Sequence, residues 1–223
     1  MGIFLYSLYK IYNWNIDNIN TNKVADEIKN IATENNNNNL TETTKKNFNK
    51  LLEENDEVVG WIKVSGTDID YPYVKHKDNS YYLNHSFNKS TNDAGWIFLD
   101  YQNNTNFEDN NTIIYAHNRI DGSMFGSLRN TLKKDWYNNP NNHIITIETL
   151  SNTFTFQIFS IYIIETTDDY LDINMQEGYD LFINRSIYNF NIQVTNEDKI
   201  LTLSTCYNNQ KKLVLHAKLI NKI

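Results

Sequence analysis

The chain has 223 residues, 40% of them hydrophobic and 13% aromatic, which is enough apolar material for one large domain or two small ones and too much for a disordered polymer. A net charge of −7, with arginine only at Arg119, Arg129 and Arg185 and no basic stripe, excludes the electrostatic footprint of a nucleic-acid binder. Much of the polarity is asparagine, including the run at 35–39, and it reads as loop filling.

The first stretch, IFLYSLYKIYNWNI at 3–16, is apolar and aromatic with a single lysine, Lys10. It is too short to cross a bilayer, which takes about 20 residues. It also lacks the basic start and small-residue cleavage site of a signal peptide. Aromatic residues beside one lysine match the interfacial end of a membrane helix. Residues 1–19 are therefore expected to be the membrane-proximal remainder of an N-terminal anchor. An ordinary amphipathic helix docked on the domain is the alternative. Residues 20–56 form a helical extension, because Val24, Ile28 and Ile31 share one helical face and Phe48, Leu51 and Leu52 another, with the Asn run as a loop between them.

From residue 57 the texture changes. The segment 58–74 alternates apolar and polar residues and carries turn signals at Ser65-Gly66 and Tyr71-Pro72. Further strands are expected at 96–101, 111–117, 143–149, 152–166, 199–206 and 211–220. Between them, a short helix opened by Ser123 is expected, then a longer one over 175–190 with Tyr179, Phe182, Ile183 and Ile187 on one side. Strands dominate, no regular strand–helix–strand crossover links them, and no linker interrupts 57–223. That span reads as one domain, a mostly antiparallel barrel or sandwich with helical additions.

The single cysteine, Cys206, closes the apolar run LTLST and precedes a polar turn. A lone thiol is a small core residue, a free surface group or a nucleophile. As a nucleophile it needs a proton partner, since the thiolate is the reactive form. His117 is the candidate among the five histidines: it ends the apolar strand TIIYA, so a rigid element would hold the ring while leaving it accessible. His76 and His85 lie in polar loop-like sequence, His143 in a turn, and His216 inside a strand that alternation alone leaves buried or exposed. If the YNNQ turn is tight, the following strand brings Lys212 beside the thiol, where a cation would stabilise an oxyanion; otherwise it is a solvated strand-end lysine. Metal-ligand spacing, glycine-rich phosphate cradles and a nucleophile-elbow serine are all absent from the sequence, so no cofactor is expected.

On these residues the chain resembles the class B sortases. TLSTC at 202–206 is similar to their cysteine motif, and NTIIYAHNRIDGSMFGSL at 111–128 to their histidine segment. EVVGWIKVSGTDIDYPYV (57–74), KDNSYYLNHSF (77–87) and GWIFLDYQN (95–103) also match, so the resemblance covers roughly residues 50–223 in order. It implies a closed eight-stranded barrel with N-terminal helices and a helix between the sixth and seventh strands. It implies a cysteine transpeptidase, anchored on the extracellular face of a Gram-positive cell membrane, that cuts a sorting motif of secreted proteins after Thr. The acyl group would pass to a peptidoglycan-precursor amine. Motifs of the Asn-Pro-x-Thr kind are favoured in the class.

By the same resemblance, Ser204, Asn79, Leu83, Thr166 and Tyr170 match substrate-groove positions. One departure stands out: the family places an arginine on the last strand where this chain has Lys212. A guanidinium is a rigid fork and an ammonium a mobile point charge, so the exchange is not conservative. Lys212 doing the arginine's work is the favoured account. Arg185 or Arg119 reaching in from elsewhere and a weak enzyme are the others. A silent peptide-binding module and a peptidase using water are the competing functions.

Overall fold

The structure, a computed structural model, describes residues 2–33, 46–167, 169–175 and 178–223. Eight strands make up the barrel: β1 (Val58–Val64), β2 (Asp70–Lys75), β3 (Phe98–Leu99), β4 (Asn111–Tyr115), β5 (Ile144–Glu148), β6 (Thr153–Glu165), β7 (Ile200–Cys206) and β8 (Lys211–Lys222). The barrel closes in the order β1-β2-β3-β4-β7-β8-β6-β5, so the expected mostly β, mostly antiparallel architecture is observed. Two contacts are parallel, β2 with β3 and β4 with β7. Neither can come from a hairpin, because parallel neighbours need a long crossover.

Burial along β7 explains why its sequence reads as continuous apolar and β-branched residues rather than a clean alternation. Every residue from Ile200 to Thr205 is buried, and only Cys206 is exposed. Leu201 and Leu203 face the barrel interior with Leu213, Leu215 and Ala217 of β8. The other face, with Ile200 and Val214, lies under a second cluster formed by Phe159, Tyr162, Tyr170, Tyr179 and Phe182. A strand covered on both faces loses its period-2 signature.

The excursion between β6 and β7 supplies that cover, and its helix is shorter than the expected 175–190. Met175 (φ 50°) and Gly178 (φ 77°) adopt left-handed conformations, residues 176–177 lie outside the described set, and helix α4 runs only Asp180–Arg185. The ladder between β5 and β6 ends at Gln157, leaving that edge of β6 open beyond it. Ser186 and Ile187 take it: Ile161 N–H donates to Ser186 Oγ at 3.1 Å, and Ile187 N–H donates to Ile161 O at 2.8 Å. Satisfying that edge stops the helix, so Tyr179 and Phe182 are buried while Ile183 and Ile187 are exposed.

The short helix expected from Ser123 also differs. Met124 has φ 53°, and the Ser123 hydroxyl bonds Asp121 Oδ1 at 2.7 Å instead of capping a helix. A 3-10 turn follows at Gly126–Leu132, and a single α-turn, α3, at Lys134–Tyr137.

At the N-terminus, α1 runs unbroken over Gly2–Thr33, about 48 Å at 1.5 Å per residue. Thr21, Ala25, Ile28 and Ala32 are buried, whereas the apolar residues from Ile3 to Ile16 are exposed, Ile3 at 86% and Phe4 at 68%. Helix α2 (Phe48–Glu54) packs Phe48 and Leu51 inward and is opened by Asn47, whose side chain accepts from Lys50 N–H at 3.3 Å. The Asn run 35–39, expected as the loop between these helices, lies outside the described residues. Among the described residues no helix is long and apolar enough to cross a membrane.

Candidate active site

The parallel pairing of β4 with β7 sets the site. In its register Tyr115 stands opposite Ser204. Both strands run toward the same rim of the barrel, so His117, two residues beyond Tyr115, and Cys206, two beyond Ser204, emerge there together. Thr205 Oγ1 locks the two strand ends by donating to Ala116 O at 2.7 Å. On the other side β7 pairs antiparallel with β8, in register Cys206 with Lys212, and Lys212 Nζ lies 3.1 Å from Cys206 Sγ. The turn between these strands is therefore tight, with Tyr207 and Asn208 N–H both donating to Lys211 O.

These three groups share one groove of about 400 Å³, and all eight residues singled out from the sequence line it. Asn79 and Leu83, from the connection between β2 and β3, line it, as do Thr166, Thr167, Tyr170 and Leu171 from the connection between β6 and β7. Ser204 and Thr205 floor it together with Phe98, Tyr115 and Ala116.

Each connection is braced. Asn79 Nδ2 donates to Asp100 Oδ2 at 2.8 Å while its Oδ1 accepts from Tyr101 N–H at 3.0 Å, which fixes the orientation of the amide. Asp100, itself buried, also accepts from Tyr115 Oη at 2.9 Å. Asp78 accepts from Ser80 Oγ and N–H and from Tyr81 N–H, bonds that hold its carboxyl down at about 2 and pin the 3-10 turn Tyr81–Leu83. The Tyr81 ring is sandwiched between His76 and His85, at 4.4 and 3.9 Å. In the other connection, Tyr170 Oη and Ser204 Oγ are 3.1 Å apart, and Thr166 N–H donates to Gln210 O of the β7–β8 turn.

His117 is half-buried, and its Nε2 lies 2.7 Å from the Leu83 carbonyl. A carbonyl only accepts, so Nε2 carries the proton and Nδ1 is left for proton exchange. His216 resolves the other way. It is buried, with Nε2 at 2.8 Å from Tyr162 Oη and Nδ1 at 2.8 Å from Thr202 Oγ1, and it stacks on Phe182 at 3.8 Å. Burial, and then the nearby Arg185, push its pKa well below the ordinary 6.5, so it is neutral and structural.

Neither alternative arginine reaches the groove. Arg119 bonds Asn18 and sits over the Trp14 ring at 5.8 Å. Arg185 forms a bidentate pair with Asp169, at 2.9 and 2.5 Å, under Tyr162. Lys212 is the cation in the groove lining.

Two residues not singled out from the sequence join the histidine loop to the nucleophile strand. Asn118 Nδ2 donates to the Cys206 carbonyl at 2.5 Å; Arg129 Nε donates to Asn118 Oδ1 at 2.9 Å and its Nη2 to the Tyr207 carbonyl at 2.7 Å. Its guanidinium also lies 5.1 Å from the Tyr207 ring centre. The available signal was scarcity: one of only three arginines closes the segment that begins at His117.

Known proteins share both the sequence pattern and the fold of this chain. The family described as Sortase domain matches residues 62–220. A curated sortase B of Listeria monocytogenes is 34% identical, over 100% of this chain and 94% of its own length. Sortase B from Bacillus anthracis superposes with TM-score 0.77 at 34% identity, covering 92% of this chain and 99% of its own. The Staphylococcus aureus sortase B–substrate complex superposes with TM-score 0.71 at 35% identity, covering 78% and 84%.

Proposed function

The chain belongs to the sortase family, as a class B cysteine transpeptidase, and from that premise we propose that it cleaves a sorting motif of secreted proteins after Thr and passes the acyl group to a cell-wall precursor amine. The single observation that carries the reading is the convergence of Cys206, His117 and Lys212 on one groove, with the ammonium 3.1 Å from the sulfur.

In this reading Cys206 thiolate attacks the Thr carbonyl carbon, and the carbonyl oxygen becomes an oxyanion. Lys212 places positive charge beside the atoms that carry the negative charge. The tetrahedral adduct collapses, the scissile C–N bond breaks, and protonated His117 gives its Nδ1 proton to the leaving amine. A thioester remains on Cys206. An incoming amine attacks that carbonyl, His117 takes its proton, and thiolate leaves as the new amide forms.

The peptide lies along the groove between Asn79 and Leu83 on one side and Thr166 and Tyr170 on the other, with Ser204 beneath it. The relatives solved with a substrate and with a triglycine peptide support a peptide donor and an amine acceptor for this chain. The exposed apolar residues around the first half of α1 support a location at the outer surface of a cell membrane, with an N-terminal anchor upstream of the barrel. A solitary thiol suits an exported protein, because no second cysteine exists to trap it in an internal bridge.

Incubation with an Asn-Pro-x-Thr peptide, followed by mass spectrometry, tests this directly. An acyl adduct on Cys206 is expected, discharged faster by added oligoglycine and missing in Cys206→Ala. A wild-type protein that forms no adduct across a peptide library overturns the assignment, and an adduct discharged only by water makes it a peptidase.

A further inference from the structure

His117 is held where two loops meet, and a segment of about two turns of α1 touches both. The first loop starts at Leu83, whose carbonyl accepts from His117 Nε2, and returns at Gly95. Gly95 has φ 61°, and a Cβ there would stand 2.5 Å from Tyr82 O and 3.0 Å from His117 Cδ2, so bare backbone packs against the imidazole. Asn92 organises this loop: its N–H donates to Asn84 O, its carbonyl accepts from Gly95 N–H, and its Oδ1 accepts from Ala94 N–H at 2.8 Å. The remaining Asn92 group points at α1, where Nδ2 lies 3.1 Å from Thr21 Oγ1 and 3.3 Å from Asp17 O. Asn92 and Thr21 are both buried.

The second loop carries His117 itself. Arg119, two residues on, donates to Asn18 Oδ1 and lies over the Trp14 ring. The loop cannot slide beneath that side chain: the Arg119 backbone packs so closely on Gly126 that a Cβ there would approach its carbonyl oxygen to 2.1 Å. The His117 carbonyl is in turn pinned by Phe125 N–H at 3.0 Å. One segment of α1, residues 14–21, thus grips the loop that bears the imidazole and the loop that accepts its Nε2 proton.

Resting on the reading of His117 as the acid–base group, we infer that residues 14–21 of α1 act as a clasp that sets the orientation of the His117 ring, with Arg119 and Asn92 as positioning residues. The chain ahead of the barrel is then coupled to the chemistry. Whatever orients the projecting first half of α1 acts on the imidazole through these two side chains, and a displacement of about 1 Å at a reacting group costs on the order of 100-fold in rate.

The test uses the full chain and two readouts, steady-state peptide transfer and the imidazole NMR resonances of His117, assigned by their loss in His117→Gln. In the double variant Trp14→Ala/Asn18→Ala, near the middle of the helix, the ring resonances are expected to shift and kcat to fall roughly tenfold. KM stays within roughly twofold, because the groove walls are untouched. Asn92→Ala gives the same pattern from the other loop, and Arg119→Lys, which keeps a cation over the indole, falls between wild type and Arg119→Ala. Phe4→Ser, on the same helix beyond the contact, matches wild type. Unmoved resonances in the double variant, with or without a change in kcat, overturn the clasp. If wild type transfers no peptide, the transpeptidase reading fails separately, and the ring resonances still decide the inference.

Discussion

The rim of the barrel and its covered outer face each hold a histidine next to β7, and the chemistry around them is opposite. At the rim, His117 keeps water access and commits one ring nitrogen to a backbone carbonyl. Under α4, His216 spends both nitrogens on Tyr162 and Thr202 and is stacked against Phe182 with no exposed surface. A histidine becomes an acid–base candidate when a nitrogen is left over and a substrate can reach it. The residue type is the same, but His117 lies just past the end of β4 and His216 in the middle of β8, and coverage goes with that difference.

Replacement of the two rings breaks the comparison most sharply. His117→Gln is expected to lower acyl transfer by about 1,000-fold or more with little change in melting temperature. His216→Gln should do the reverse, keeping kcat in the folded fraction while losing about 1–3 kcal/mol through unsatisfied buried partners. Comparable activity losses in both, at equal stability, would refute the division.

The bracket that holds the rim together comes next. Arg129→Ala frees the Tyr207 carbonyl and the Asn118 amide, and kcat should fall on the order of 100-fold with KM nearly constant. Arg129→Lys should recover only part of it, since an ammonium cannot serve both acceptors as a planar fork does. A loss confined to KM would place Arg129 in substrate binding instead.

Lys212→Arg should raise the acylation rate of a sorting peptide by roughly fivefold, by offering two directed donors to the oxyanion. An unchanged rate, with a loss in Arg185→Ala instead, would show that the cation is supplied from elsewhere.

A pH slope in stability belongs to the covered face. His216 titrates well below 6.5 in the folded protein because it is buried. Below pH 6.5 the unfolded chain therefore binds a proton that the folded chain does not, and folding stability falls as pH drops, by at most about 1.4 kcal/mol per pH unit. Denaturant titrations between pH 7.5 and 5.5 should show this slope reduced in His216→Gln, and an identical slope in both proteins would remove His216 as its source.

Much of the barrel was legible because its strands are local objects. The runs at 111–117, 152–166, 199–206 and 211–220 are apolar, β-branched and bounded by turn residues, and β4, β6, β7 and β8 fall within two residues of them. The 175–190 helix was overread because periodicity carries no information about the open edge of β6 that draws Ser186 and Ile187 out of the helix. The Ser123 helix start failed because Met124, the next residue, takes a left-handed conformation at φ 53° that an α-helix does not accommodate. Asn118 and Arg129 were overlooked because their partners are backbone carbonyls of residues 206 and 207, which no sequence pattern brings near.

By itself the sequence settled the composition of the chemistry: one thiol, a strand-end histidine, a lysine at the start of the last strand, and the β-rich texture that holds them. These follow from local preferences, since alternation, turn residues and β-branching act within a few neighbours. Only the tertiary structure decided that β4 lies parallel to β7 in the Tyr115–Ser204 register, which brings imidazole and sulfur to one rim. That register is set by how both faces of β7 are buried at once, a free energy summed over residues from the whole chain rather than any single stretch of it.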